Sequence, residues 1–173
     1  GVDHVLVTHL HFDHTVSISS AWLSGWLFGR RVPLRIQGPA GIKSMMDNIK
    51  YAYQWDVDYR VMVGVPKEGT ELIVDEVSDG VIFNQGGLKI TAFQVEHMPI
   101  DIPSGKLLGL RGETLGFRID YKGHSVLFSG DTRSTEKSEI NNVGEGVDLL
   151  IHEVQVPSPG ATPEANLANV SLS

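Results

Sequence analysis

Cysteine is absent from the 173-residue sequence. Disulfide bonds are therefore excluded, and any metal ion that this chain binds must be held by nitrogen and oxygen atoms rather than by thiolates. Long apolar runs are absent as well. The apolar segment 22–28 is far shorter than the roughly 18 to 20 residues needed to cross a bilayer. We therefore expect no membrane-spanning segment and no membrane partner.

Positive charge is scarce, since 14 lysine and arginine residues stand against 21 aspartate and glutamate residues and give a net charge of −7. Such a chain has no overall field that would attract nucleic acid. The loose basic stretch of Arg30, Arg31, Lys43 and Lys50 is more simply a solvated face.

A hydrophobic content of 41% over this length is typical of one globular domain with a real core.

Histidine is also infrequent, with seven residues in the chain, yet three of them fall in the hexamer 9–14, which reads HLHFDH. Neutral imidazole is the commonest ligand of transition metals, and a carboxylate can bind beside it or bridge two ions. The spacing places His9 and His11 on the same side of an extended backbone, while Asp13 and His14 can face a second ion. The alternative interpretation is a solvated histidine-rich turn or an incidental metal-binding tract.

Hydrophobic periodicity predicts a mixture of strands and helices without an internal repeat. Helices are predicted at 18–28, where Ile18, Trp22 and Trp26 share a face, and at 42–53, where a longer apolar stripe recurs at helical spacing. Residues 56–70 are predicted to be strand and then loop, and loops are also predicted after His97 and beyond Pro157. The predicted strands are 4–8, 33–37, 71–75, 80–84, 88–96, 115–121, 125–128 and 148–151, the first and the last of them buried.

Two further candidate ligands follow predicted strands. His97 comes directly after the long run 88–96, and Asp131 follows the strand 125–128. Functional side chains collect at strand ends because loops there can aim them while the sheet holds them rigid. A structural histidine and a turn or helix-capping aspartate are the alternatives. His152 is predicted to be a structural residue or to support the ligands.

Four pieces of the sequence together resemble the metallo-β-lactamase fold superfamily. They are the hexamer 9–14, His97, the SGDT segment 129–132 and the LIHE segment 150–153. The two tetrapeptides make the chain most similar to the branch of ribonuclease Z, related phosphodiesterases and arylsulfatases. The resemblance implies an α+β fold, a metallo-β-lactamase αβ/βα sandwich of two mainly antiparallel sheets. It further implies that residues 1–173 form one such domain, incomplete at both ends, without its first strands and its last ligand segment.

The resemblance also implies a dinuclear zinc site, with Mn²⁺ or Fe²⁺ as alternative metals. In this arrangement His9, His11 and His97 hold one ion, Asp13 and His14 hold the other, and Asp131 bridges both. A hydroxide between the metals would attack a phosphodiester or related ester, and Asp13 would be the catalytic residue that orients the nucleophile or accepts its proton. The expected substrate is a small-molecule or nucleotide ester.

Some features of the chain depart from that branch. No histidine follows His152, so the last ligand expected for the second metal is missing. The stretch between His97 and Asp131 is too short for a tRNA-gripping arm, and the acidic charge does not favour tRNA as the substrate. Hydrolysis of a lactone, thioester or sulfate ester at the same site, and a degenerate, non-catalytic metal-binding module, remain alternatives. A cytoplasmic location and a homodimer are further expectations.

Overall fold

A computed structural model describes residues 1–97, 113–132 and 137–153, and the backbone of two short strands at 100–101 and 106–107. It divides into two compact units, Gly1–Glu76 and Val77–Ser173, called unit 1 and unit 2 below. No described helix has the length and apolar content needed to cross a membrane. The assignment of residues 1–173 to a single domain stays a prediction.

Unit 1 contains a three-stranded sheet in the order β1-β2-β3. The strands are β1 (His4–Leu6), β2 (Leu34–Gly38) and β3 (Leu72–Glu76), and both pairings are parallel. The expectation of a mainly antiparallel sheet is wrong here. Each connection passes through helices, and such a crossover returns the chain in the same direction. The helices are α1 (Phe12–Thr15), α2 (Ile18–Leu27), α3 (Ile42–Ala52) and α4 (Gln54–Met62).

The core of unit 1 confirms the two helical stripes predicted from the sequence. Trp22 of α2 and Met46 of α3 are buried together with Ile36 of β2. The indole N–H of Trp22 donates to the carbonyl of Thr70 at 3.0 Å, which satisfies the polar atom of a buried ring. Trp22 is therefore a core residue held at both its apolar and its polar end.

The prediction of a strand in the segment 56–70 is wrong, because its first part belongs to α4. Two side-chain pairs at i, i+4 spacing support this helix, Gln54 with Asp58 at 2.8 Å and Asp56 with Arg60 at 2.8 Å. The prediction rested on the mixed composition of the segment, which contains Gly64, Pro66 and Gly69. The two polar pairs at i, i+4 spacing were the competing signal for a helix.

Unit 2 contains a five-stranded sheet in the order β10-β9-β8-β5-β4. All pairings are antiparallel except β10 with β9. A short antiparallel pair, β6 with β7, lies in the segment predicted to be a loop. These strands were not predicted because two residues are too few to show an alternation of apolar and polar side chains. The elements are β4 (Gly80–Gln85), β5 (Leu88–Val95), β6 (Ile100–Asp101), β7 (Lys106–Leu107), β8 (Thr114–Tyr121), β9 (His124–Phe128), α5 (Glu139–Val143) and β10 (Leu149–Ile151).

The strand β10 is present where predicted, but it is not buried. Leu149, Leu150 and Ile151 are 53%, 50% and 45% exposed. Among the described strands β10 is an edge strand with only β9 beside it, so its apolar side chains have no neighbour on the other side. The loop predicted beyond Pro157 lies outside the described residues.

Candidate metal centre

The hexamer 9–14 follows β1 and leads directly into α1. The backbone N–H of Val7 donates to the carbonyl of Gln37 at 2.8 Å, so the chain stays attached to β2 until just before the motif. His11 has extended backbone angles and caps α1, whose first turn contains Asp13 and His14. The motif is therefore extended at His11 and helical from Phe12, so its candidate ligands project from two kinds of backbone.

A glycine allows the loop of the motif to approach α3. Gly41 adopts a left-handed backbone with φ of +100°, and a Cβ there would lie 2.9 Å from Cδ1 of Leu10. Any larger residue would be strained and would push Leu10 away. Only glycine therefore fits at position 41 without displacing the Leu10 side chain.

Three imidazole rings of the motif lie together within unit 1. Nε2 of His9 and Nδ1 of His11 are 3.0 Å apart, and the two rings meet edge to face with centroids 4.5 Å apart. The rings of His9 and His14 have centroids 4.2 Å apart, and their ligand atoms lie within 4.8 Å of each other. Nitrogen lone pairs from three residues therefore converge on a small volume, as the motif predicts.

The three rings differ in how far they are buried. His9 is only 3% exposed, whereas His11 and His14 are exposed. One side of the cluster is therefore anchored in unit 1 and the other side is open to small molecules. Asp13 shares the open side, since its carboxylate is 61% exposed and lies 3.4 Å from Nε2 of His14.

Thr8 is a site residue that the sequence analysis missed. Its buried hydroxyl lies 3.0 Å from Nδ1 of His9. When Nδ1 carries the ring proton and donates it to this hydroxyl, the lone pair stays on Nε2, the atom that faces His11. The only signal in the sequence was a hydroxyl residue directly before the first histidine of the motif.

The other two candidate ligands meet within unit 2. His97 follows β5 and Asp131 follows β9, and Nε2 of His97 lies 3.7 Å from Oδ2 of Asp131. Their side chains are 10% and 20% exposed. Gly130 has a φ of +63°, so the chain turns sharply between the buried Ser129 and Asp131. A residue with a side chain would be strained at that turn.

The remaining histidines have other surroundings. Nε2 of His4 lies 2.8 Å from Oε1 of Gln37, and the side chain of His124 is 86% exposed. The ring of His152 donates from Nδ1 to the carbonyl of Glu153 at 2.7 Å, and its buried Nε2 has no hydrogen-bond partner in the described part of the chain. The supporting role assigned to His152 stays a prediction.

The structure thus brings the predicted site residues together in two groups, each described within its own unit. Unit 1 holds His9, His11 and His14, with Asp13 beside them, and unit 2 holds His97 with Asp131. The described residues therefore include histidine and aspartate groups that could hold a metal ion.

Comparison with known families identifies the family of the chain. The model of the family described as the beta-lactamase superfamily domain matches residues 1–163. The chain belongs to this superfamily. A ribonuclease Z of Mycobacterium marinum is 27% identical over 158 residues, which is 89% of this chain and 52% of that relative. The chain therefore spans about half the length of that relative.

Solved structures show the same fold. The metallo-beta-lactamase fold protein YhfI from Bacillus subtilis matches with a TM-score of 0.58 and 19% identity, over 89% of this chain and 50% of that protein. Human tRNase Z, short form, matches with a TM-score of 0.63 and 18% identity, over 92% of this chain and 60% of that protein. The predicted metallo-β-lactamase fold is therefore confirmed, and the chain lies near ribonuclease Z within it.

Proposed function

We propose that this protein is a metal-dependent hydrolase whose ligands come from both histidine groups. His9, His11 and His97 would hold one zinc ion, Asp13 and His14 would hold a second, and Asp131 would bridge the two. The observation that best supports the proposal is the 3.0 Å approach of two ring nitrogens, Nε2 of His9 and Nδ1 of His11.

The donor atoms fit zinc. Neighbouring nitrogen ligands of tetrahedral zinc, at ~2.0 to 2.1 Å from the ion, lie roughly 3.3 Å apart. The observed 3.0 Å between His9 and His11 is close to this spacing. Sulfur ligands are excluded by the absence of cysteine, and the mixture of imidazole and carboxylate also suits Mn²⁺ or Fe²⁺. Zinc is proposed first because imidazole-rich tetrahedral sites favour it.

The side chains at the site have separate roles in this proposal. Thr8 holds the ring of His9 in the orientation that leaves Nε2 available. Asp13, with its exposed carboxylate, orients the attacking water or accepts its proton. Bound zinc supplies a Lewis acid and lowers the pKa of a bound water toward neutrality. The open side of the cluster, at His11 and His14, is where an ester would approach.

A phosphodiester or related ester is the substrate class that we propose. Support comes from the likeness to ribonuclease Z and from the pairing of a nitrogen-rich site with an exposed carboxylate at Asp13. The net charge of −7 does not favour a long polyanion such as tRNA, so a small-molecule or nucleotide ester is proposed instead. A sulfate ester, a lactone or a thioester at the same site are the alternatives.

The test measures the rates at which the full-length protein hydrolyses different esters. The rates are measured first with zinc bound and again after a chelator has removed it. Bis(p-nitrophenyl) phosphate, p-nitrophenyl sulfate and an acyl-homoserine lactone represent the competing ester classes. We expect the phosphodiester to be hydrolysed fastest, the activity to disappear on stripping, and Asp13→Asn to remove most of it. His124→Ala is the matched control, because its side chain is 86% exposed in unit 2 and it should keep full activity. Hydrolysis of none of the three esters by zinc-loaded protein would favour a non-catalytic metal-binding module.

The cytoplasmic location expected from the sequence stays part of the proposal. It can be checked by fractionating cells that produce the full-length protein from its natural gene. Recovery in the cytoplasmic fraction would agree with it, and recovery with membranes or outside the cell would contradict it.

A further inference from the structure

The sheet of unit 2 has a cleft at the end away from His97 and Asp131. Its volume is about 320 Å³, and it is lined by the start of β5, the end of β8, the β8–β9 hairpin and the segment before β10. His97 and Asp131 follow the C-terminal ends of β5 and β9. Lys89 and Ser125 of the cleft lie near the N-terminal ends of the same strands. Because β5 is eight residues long, its two ends lie roughly 25 Å apart. This cleft, called the hairpin cleft below, is therefore separate from the candidate metal ligands of unit 2.

The floor of the hairpin cleft is one face of three neighbouring strands. Lys89 of β5 lies directly opposite Asp120 of β8, and Asp120 lies directly opposite Ser125 of β9. Side chains of residues paired in this way point to the same side of a sheet. Arg118 points to that side as well, because it is two residues from Asp120 on the same strand. Polar side chains from three strands therefore line the cleft together.

The guanidinium of Arg118 is held in place by hydrogen bonds within unit 2. Its Nη1 donates to the carbonyls of Val143 and Glu145, at the C-terminal end of α5, at 2.7 and 3.0 Å. Its Nε donates to Oδ1 of Asp120 at 3.1 Å. Among the described residues, Nη2 of Arg118 has no hydrogen-bond partner. The group is therefore fixed between the sheet and α5 with one nitrogen left to bind a ligand.

Three permanent positive charges line the hairpin cleft, although the chain as a whole carries a net charge of −7. They belong to Lys89, Arg118 and Lys122. The carboxylates of Asp120 and Asp148 lie among them, and both already accept hydrogen bonds from protein groups. Within the part of the chain that the structure describes, neither lysine is paired with a carboxylate. An anion in the cleft would therefore meet two ammonium groups that are not held by an ion pair.

Lys122 has an unusual backbone for a lysine. With Gly123 it forms the two-residue turn between β8 and β9, and the two residues have φ of +50° and +84°. Such turns favour asparagine, aspartate or glycine at the first position. In the described part of the chain, no other residue except glycine has a positive φ. Nζ of Lys122 lies over the ring of Tyr121, 5.1 Å from its centroid, and cation–π attraction holds the ammonium beside the cleft. A lysine at a position that disfavours it indicates a role beyond the turn itself.

We propose that the hairpin cleft binds a phosphorylated sugar, either free or as part of a nucleotide. Lys89, Lys122 and Nη2 of Arg118 would bind the phosphate, because charged nitrogen donors form strong hydrogen bonds with phosphate oxygens. The carboxylates of Asp120 and Asp148 can accept hydrogen bonds from the sugar hydroxyls. The volume of about 320 Å³ suits a small organic molecule, since such sites usually measure ~300 to 1,000 Å³.

A divalent cation is the less favoured ligand of this cleft. It would need both carboxylates, but Nε of Arg118 already donates to Oδ1 of Asp120, and two lysines line the same cleft. A cation would therefore meet repulsion where an anion meets attraction. The sugar phosphate site does not depend on the proposed hydrolysis, because it lies at the other end of the sheet from the candidate ligands of unit 2.

The experiment is isothermal titration calorimetry of the zinc-loaded full-length protein with ribose 5-phosphate, AMP, inorganic phosphate and ribose. We expect ribose 5-phosphate or AMP to bind at least about tenfold more tightly than inorganic phosphate or ribose, because only the first two carry both the phosphate and the sugar. Tighter binding of AMP would identify a nucleotide as the source, and tighter binding of ribose 5-phosphate a free sugar phosphate. Inorganic phosphate that binds as tightly as both, or no binding of any probe, would overturn the proposal.

Two variants remove the lysine charges one at a time. Lys122→Asn places in the turn a residue that this backbone favours, so it removes the charge without destabilising the hairpin. Lys89→Gln removes the charge opposite Asp120. Each variant should weaken the binding of ribose 5-phosphate by about tenfold or more. Lys43→Gln is the matched control, since it removes an exposed lysine of unit 1, and it should bind like wild type.

A further pair of variants separates the hairpin cleft from the proposed metal centre. His11→Ala removes a proposed zinc ligand and should still bind ribose 5-phosphate, whereas Lys122→Asn should still hydrolyse the ester substrate at the wild-type rate. Binding that is unchanged in both Lys122→Asn and Lys89→Gln would overturn the proposal. Loss of that binding in His11→Ala would then place the ligand at the metal centre.

Discussion

Nε2 of His97 and Oδ2 of Asp131 lie 3.7 Å apart, although the strands β6, β7, β8 and β9 separate them along the chain. The two residues follow β5 and β9, on either side of β8 in the same sheet. Because these two strands run in the same direction on either side of an antiparallel one, their C-terminal ends meet at one edge. The sheet of unit 2 thus brings together one imidazole and one carboxylate without help from the hexamer.

Changing Asp131 to alanine is predicted to remove one of the two metal ions and most of the hydrolysis. The proposed bridging carboxylate contacts both ions, so its loss should exceed the ~10- to 100-fold effects usual for residues outside the ligand shell. Elemental analysis and initial rates on one preparation measure both effects. His152→Ala is the matched control in the same unit and should keep its metal. A full metal complement in Asp131→Ala, or a lost ion in His152→Ala, would show that the ligands are misassigned.

Changing Thr8 to valine is predicted to weaken zinc binding by about 10- to 100-fold while leaving the fold intact. Valine keeps the shape of threonine but removes the hydroxyl that lies 3.0 Å from Nδ1 of His9. Competition with a chromophoric chelator gives the affinity. Thr70→Val removes another buried hydroxyl, one that donates to the carbonyl of Lys67, and should not change zinc affinity. Equal affinities in the two variants would mean that Thr8 does not orient the ring.

Changing Gly69 to alanine is predicted to destabilise unit 1 by about 3 kcal/mol, because a positive φ costs ~1 to 2 kcal/mol and the clash adds to it. Gly69 has a φ of +92°, and its Cβ would overlap the carbonyl oxygen of Arg30. Gly64 is the matched control, with a φ of +101° and open space around it. Gly64→Ala should therefore show the backbone strain alone. Urea unfolding of both variants separates the two effects, and equal losses would rule out the clash.

The stability of unit 2 is predicted to depend on the ionisation of Asp148. The backbone N–H of Ser125 donates to its carboxylate at 2.6 Å, and this bond, with a second from the Ser125 hydroxyl at 3.1 Å, lowers the pKa of Asp148. Since the pKa is lower in the folded state, the contribution is present above the unfolded value of about 3.9 and is lost as the pH falls through the folded value.

The variant Asp148→Asn tests this dependence by urea unfolding at a series of pH values. It should be less stable than wild type near pH 7, and the difference should shrink as the pH falls below about 4. Ser125→Ala, which removes only the hydroxyl donor, should show a smaller difference with the same direction. A difference between Asp148→Asn and wild type that stays constant across the acid range would contradict the account.

The sequence was informative where one interpretation of a pattern outweighed its alternatives. The stripe that includes Ile42 and Met46 favoured a helix with one buried face, and the hexamer 9–14 favoured a cluster of imidazoles over a solvated turn. His97 and Asp131 were predicted as candidate ligands because they follow strands, but the distance between them depends on strand order, which no local pattern encodes.

The sequence was misleading where two local patterns favoured different structures, and where burial depends on neighbouring elements of the fold. In the segment 56–70 a mixed composition with Gly64, Pro66 and Gly69 outweighed two polar pairs at helical spacing, and the segment was predicted to be strand and then loop. An apolar run such as 149–151 does not reveal whether a neighbour covers it, so β10 was predicted to be buried. Thr8 was missed because a hydroxyl hydrogen bond to a candidate ligand leaves no sign in the sequence beyond adjacency to His9.

The most direct test of the central claim is the metal content of the full-length protein, measured by elemental analysis after dialysis against trace-metal-free buffer. The account predicts close to two zinc ions per chain. One ion or none in correctly folded protein would contradict the dinuclear site and favour a mononuclear or degenerate metal-binding module.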